Sequence, residues 1–242
     1  MSADALSDPE ARLDLAAAIT AALEQAADPE RAAGQQRYMK SAMPYFGLTS
    51  PAFRAVVGPI LRDPAYRLRS RDAWLATIEA IWRGATHREQ WYAALALARH
   101  RPYRAWVDSD AMPLWERLIR EGAWWDVVDD IATHLVRDTV LAAPAVEAPR
   151  MREWARSDSL WVRRAAILCQ VGTRERLDQE LLTDVIEPTI GDPDFFARKA
   201  IGWALRDHAR SDPEWVRRFV AGHPDLSGLS RREALKHLGP LP

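Results

Sequence analysis

The hydrophobic pattern reads as helix after helix. Alanine, leucine and arginine dominate, glycine is scarce, and no stretch alternates apolar and polar residues long enough to suggest a sheet. Acidic or hydroxyl residues followed by proline recur as SDPE at 7, DPE at 28, RDP at 62, GDPDF at 191 and SDPEW at 211. A capping side chain with proline in the first turn marks a helix start, because proline sacrifices only an N–H that the first turn leaves unpaired. The pattern predicts about eleven or twelve helices, most of roughly 10 to 18 residues. Nothing resembles a linker or a low-complexity segment, so residues 1–242 read as a single all-α domain, with about 1–20 expected to be loosely ordered.

A repeat emerges when the helices are aligned. Trp91, Trp125, Trp161 and Phe196 fall 34, 36 and 35 residues apart, each near a helix start. LWVRRAAIL at 160 resembles FFARKAIGW at 195, and LSRREALKH at 229 continues the basic pair. This register sets Arg163 with Arg198, Arg164 with Lys199, and roughly Arg231 and Arg232 after them. A period near 35 in a helical chain predicts stacked helix pairs, an α-solenoid. One helix of each pair would line a concave side. That would gather Trp125, Asp129, Arg164, Lys199, Trp203 and the Arg231–Lys236 region on one basic surface, suited to a phosphate backbone.

Composition narrows the classes. The chain is 48% hydrophobic and 28% charged, as in ordinary globular proteins. No apolar run approaches the roughly 20 residues that span a bilayer, and the acidic start is unlike a signal peptide. With one cysteine, Cys169, a disulfide framework is excluded and a cytoplasmic setting expected. A net charge of −1 means that any anion-binding surface must be local. The 33 basic residues include only three lysines, at 40, 199 and 236.

Candidate chemistry concentrates in GAWWDVVDDIATHLV, residues 122–136. On a helix Trp125 and Asp129, four apart, share a face. Lys199 and Trp203 repeat the spacing with a cation in place of the acid. The plain reading is a core helix with a half-buried indole and a solvated acid; the sharper one is a pocket for a cation.

Five blocks decide between them: RYMKSAMPYFGLTSPAFR (37–54), WWDVVDDIA (124–132), LWVRRAAILCQ (160–170), FFARKAIGWALRDHA (195–209) and LSRREALKH (229–237). In content and order they resemble the AlkD-like family of DNA alkylation repair glycosylases, from about residue 20 to the C-terminus. The resemblance implies a monomeric, HEAT-like solenoid of antiparallel helix pairs that grips double-stranded DNA. It implies a bacterial enzyme excising positively charged N3- or N7-alkylated purines without flipping the base. By matching position, Trp125 and Trp203 stand for the catalytic-cleft tryptophans and Asp129 for the catalytic carboxylate. Arg164 stands for a cleft arginine at the DNA backbone and Tyr38 for another cleft aromatic. Lys199, Arg232 and Lys236 are further candidates for phosphates.

The residue types suit that chemistry independently. A cationic purine already weakens its bond to deoxyribose and needs no general acid. A carboxylate beside indole faces can stabilise the sugar cation and guide water, each ring offering roughly 0.5–2 kcal/mol. No metal or cofactor is called for, since the histidines lack ligand spacing, no glycine-rich phosphate loop occurs, and Cys169 reads as buried filler. Trp82, Trp91, Trp106, Trp115 and Trp154 read as packing, Trp161 as core, and Arg163 as a surface or inter-helix salt-bridge residue. Two rivals remain: a non-excising solenoid that binds branched or damaged DNA, and a protein-binding helical scaffold.

Overall fold

The computed structural model describes residues 10–239. The expected start at SDPE and residues 1–9 of the loosely ordered stretch lie outside them. Among the described residues there are fourteen α-helical segments, short 3-10 turns and no strand. The chain divides into two compact units, Met1–Trp106 and Val107–Pro242.

The first unit holds α1 (Leu13–Gln25), α2 (Pro29–Met39), α3 (Ser50–Arg62), α4 (Arg71–Arg83) and α5 (Arg88–Ala98). Capping follows the sequence signals. Asp28 accepts from the Arg31 N–H with Pro29 at the first helical position, and Thr49 and Ser70 cap α3 and α4 in the same way. Leu15, Ile19 and Leu23, four apart in α1, are buried with Trp74, Ile78 and Trp82 of α4. Each such side chain contributes about 1.5–3 kcal/mol by leaving water. The stretch before α3 has an anchor that the sequence did not advertise. Buried Glu89 of α5 accepts from the backbone N–H groups of Phe46, Gly47 and Leu48 at 2.9, 2.9 and 3.1 Å. Gly47 is required there, because its φ is +93° and an added Cβ would run into the Asp28 carbonyl.

The second unit holds α6 (Met112–Gly122), α7 (Trp125–Asp130), α8 (Arg137–Ala142), α9 (Pro144–Trp154), α10 (Leu160–Leu168), α11 (Gln179–Ile186), α12 (Phe195–His208), α13 (Pro213–Gly222) and α14 (Gly228–Ala234). Helices α7 and α8 are the ends of one continuous helix whose middle, Ile131–Val136, is a π-helical stretch. Its widened turn shows in the Arg137 N–H, which donates to the Ala132 carbonyl five residues back. Val127, Val128, Ile131, Leu135 and Val136 bury the inner face. Helix α10 packs on α7, on the π-helical stretch and on α12, and α12 packs on α14. This helix-on-next-helix order is that of an all-α solenoid.

The segments run from 6 to 14 residues, shorter than the pattern predicts. At RDP the cap Asp63 starts only the 3-10 turn Pro64–Tyr66. At GDPDF the cap of α12 is Asp194 rather than Asp192. Asp192, in the loop before α12, instead takes the Arg163 guanidinium at 2.7 Å.

Candidate catalytic site

Helix α7 begins at a tight corner. Ala123 has a φ of +29°, a conformation costing a residue with a Cβ about 1–2 kcal/mol. The next residue, Trp124, is an extended N-cap. Its ring lies 5.7 Å from that of Trp161 and 5.3 Å from that of Phe196, which are 5.1 Å apart. The aromatic that continues the repeat inward is therefore Trp124, whereas the aligned spacing had favoured Trp125. Neighbours on a helix point about 100° apart, so committing Trp124 to this cluster turns Trp125 elsewhere. Trp125 is half-buried.

One turn on, Asp129 meets Arg164 of α10 in a two-pronged pair. The Arg164 Nε donates to Oδ1 at 2.7 Å and Nη2 to Oδ2 at 2.8 Å. The third nitrogen, Nη1, donates to the Phe196 carbonyl at 2.6 Å, in the first turn of α12. One guanidinium thus ties three helices together, and its carbon lies 5.9 Å from the Phe196 ring centre. Arg164 is 4% exposed and Asp129 17%. Burial pushes the Asp129 carboxyl above the usual aspartate range; the Arg164 hydrogen bonds and charge oppose that, and Asp126 and Asp130 reinforce it. The Asp129 carbonyl accepts from the Thr133 hydroxyl at 2.7 Å, and that of Asp130 from His134 Nδ1 at 2.9 Å. These side chains bond carbonyls just where the helix widens, and π-turns of this kind are frequent at functional sites.

Arg164, expected at the DNA backbone, thus directs all its donor groups into the protein. Lys199 is also paired, though its side chain is 38% exposed: its Nζ lies 2.7 Å from Oε1 of Glu233 on α14, while Arg206 takes the other carboxylate oxygen. Trp203, between them on α12, is half-buried. Arg232 and Lys236 are exposed at and just beyond the end of α14. Arg231 donates to the Val220 and His223 carbonyls at 3.3 Å and so finishes α13. Tyr38 is 78% exposed on α2 of the first unit. Asp129 and Arg164 are brought into direct contact; Lys199 is bound to a residue that sequence reasoning missed. A signal for Glu233 existed. The Asp129–Arg164 pair spans 35 residues and the Lys199–Glu233 pair 34, one repeat each.

Alternative chemistries find little to build on. Cys169 is fully buried and its thiol pushed up to about 12 by that burial, so it offers no thiolate near neutral pH. Among the described residues no group of three or more His, Cys, Asp or Glu could hold a metal ion. None of their helices is long and apolar enough to cross a membrane. Two clefts in the first unit, of about 140 and 190 Å³, share Arg67 and include none of the candidate residues.

Comparisons with known proteins add to this geometry. The profile of a family described as DNA alkylation repair enzyme matches residues 19–238. Among solved structures, one described as a predicted DNA alkylation repair enzyme from Enterococcus faecalis is 28% identical, with a TM-score of 0.78. The match covers 89% of this chain and 98% of that one. No curated protein matches.

Proposed function

Because the chain belongs to the DNA alkylation repair enzyme family, we propose that it is a DNA glycosylase hydrolysing the N-glycosidic bond of cationic N3- or N7-alkylpurines in double-stranded DNA. The observation that carries the reading is a carboxylate, Asp129, held in a fixed orientation by two hydrogen bonds from one buried guanidinium. An alkylated purine leaves as a neutral base, so the barrier lies in the positive charge growing on the sugar. A carboxylate already aimed, in surroundings drier than water, stabilises that charge without reorganising as the bond stretches. Each carboxylate oxygen has a second lone pair beyond the one that Arg164 engages, free to meet the sugar cation or orient a water. Trp125 and Trp203 supply indole faces to the cationic nucleotide; Tyr38, exposed on α2, is kept as a ring for DNA. Arg164 acts through Asp129, and the phosphates fall to the exposed Arg232 and Lys236. The lesion stays stacked and is attacked from the backbone side, as the family resemblance implies.

Release of free base from duplex DNA containing N7-methylguanine tests the reading. The wild-type protein frees the base, and Asp129→Asn is at least about 100-fold slower, the scale on which a preorganised electrostatic group acts. Equal rates would end the catalytic assignment. The same ion pair would serve a non-excising DNA binder as a strut between α7 and α10. Tight binding to damaged duplex with no base freed, from any cationic adduct, would select that second reading.

A further inference from the structure

We propose that Glu233 is a positioning residue for Trp203: its carboxylate anchors the cations on either side of that indole and keeps both from the DNA phosphates. The inference rests on the reading that Trp203 meets the damaged nucleotide. Lys199, Gly202, Trp203 and Arg206 fall within one arc of α12, three or four residues apart. Lys199 precedes the indole by one turn, Arg206 follows it by nearly one, and each takes one oxygen of Glu233. The carboxylate is 15% exposed and Arg206 21%, so their pairing is screened less than a surface ion pair would be, whereas Lys199 is 38% exposed.

The backbone shows that α14 is seated on this face. A Cβ built at Gly202 would stand 2.5 Å from the Glu233 Cβ and 3.1 Å from the Ser230 carbonyl oxygen. The helices approach so closely that only glycine fits. Ser230 Oγ donates to the Arg198 carbonyl at 2.9 Å, a second latch on the same helix. With only seven residues, α14 cannot hold its helical form alone; its position is that of its contacts with α12. Glu233 joins the two along the arc of α12 that carries Trp203.

Charge and placement are separable. Glu233→Gln keeps the shape, removes the charge that holds the two cations and leaves one acceptor oxygen for at most one of them. Duplex binding should then depend more steeply on salt, log K against log salt gaining about 0.9 per cation that reaches a phosphate. Base release at saturating DNA should nevertheless fall about tenfold or more, since displacing a group by about 1 Å can cost 100-fold. Gly202→Ala pushes α14 outward with no change of charge. It should slow release by a comparable factor although every charged side chain is kept. Both variants are assayed below their own unfolding temperatures, followed by circular dichroism. An unchanged slope in Glu233→Gln, or release within twofold of wild type in either variant, overturns the proposal. Trp203→Leu distinguishes the failures. If it releases base at the wild-type rate, the reading of Trp203 falls and the positioning falls with it. If it is impaired while Glu233→Gln is unaffected, the proposal alone falls.

Discussion

The Asp129–Arg164 pair makes a prediction in which stability and chemistry part company. Arg164→Met removes the charge while keeping the length of the side chain, and leaves a carboxylate 17% exposed with no cation. Asp129→Asn leaves a guanidinium 4% exposed, with one amide oxygen in place of two anionic acceptors. Removing one partner of a buried ion pair costs about 3–5 kcal/mol, because the other charge is stranded. The retained amide bond puts Asp129→Asn below that range, at about 2–3 kcal/mol. For a chain of this size about 3 kcal/mol lowers the melting temperature by roughly 6–12 °C. The double variant strands no charge. It should be no less stable than the better single variant, with a coupling of at least about 3 kcal/mol. Urea unfolding of all four proteins, followed by tryptophan fluorescence and circular dichroism, measures it. Base release should be lost in the double variant although its stability returns, which isolates the chemical role of the acid from its structural one. Effects that add, with a coupling below about 0.5 kcal/mol, would refute the claim that Arg164 holds Asp129.

Other outcomes follow from the same geometry. Only ionised Asp129 can stabilise a sugar cation, and burial raises its carboxyl, so base release should fall with acid at a pH above the ordinary aspartate range of about 4. Its linkage to stability has the opposite sign: a raised carboxyl favours the fold below the unfolded value, and that contribution is lost as pH rises through the folded one. An acid limb at or below the ordinary value would contradict the burial argument. Trp125→Leu should slow release by up to about 30-fold, the worth of a cation–π contact near 2 kcal/mol. Trp124→Leu, which removes a ring from the Trp161–Phe196 cluster, should instead lower the melting temperature. The two effects reversed would show that the wrong indole has been assigned to the site. Arg232→Ala and Lys236→Ala should each reduce the salt slope of duplex binding by about 0.9, and an unaltered slope would place the phosphates elsewhere.

Helix class, helix starts and repeat length could be read without coordinates because each rests on local chemistry. Asp28 and Asp212 cap where Asp-Pro says they should, since a carboxylate three residues from an unpaired N–H needs no distant partner. The failures occur where another partner competes, distant in one case and one turn back in the other. Asp192 forgoes α12 for Arg163, and the π-helical stretch arises where Thr133 and His134 bond the carbonyls behind them.

At one position of four successive repeats stand Asp129, Arg164, Lys199 and Glu233. The order of residues determined by itself that an acid, two bases and an acid recur at that interval, and that a helical stack would set them side by side. It could not say that the two acids would claim the two bases and leave the exposed cations to Arg232 and Lys236. Nor could it say which of Trp124 and Trp125 turns inward. Those outcomes depend on separations of a few ångströms between helices and on how much water each charge loses, and both come into being only when α7, α10, α12 and α14 are packed.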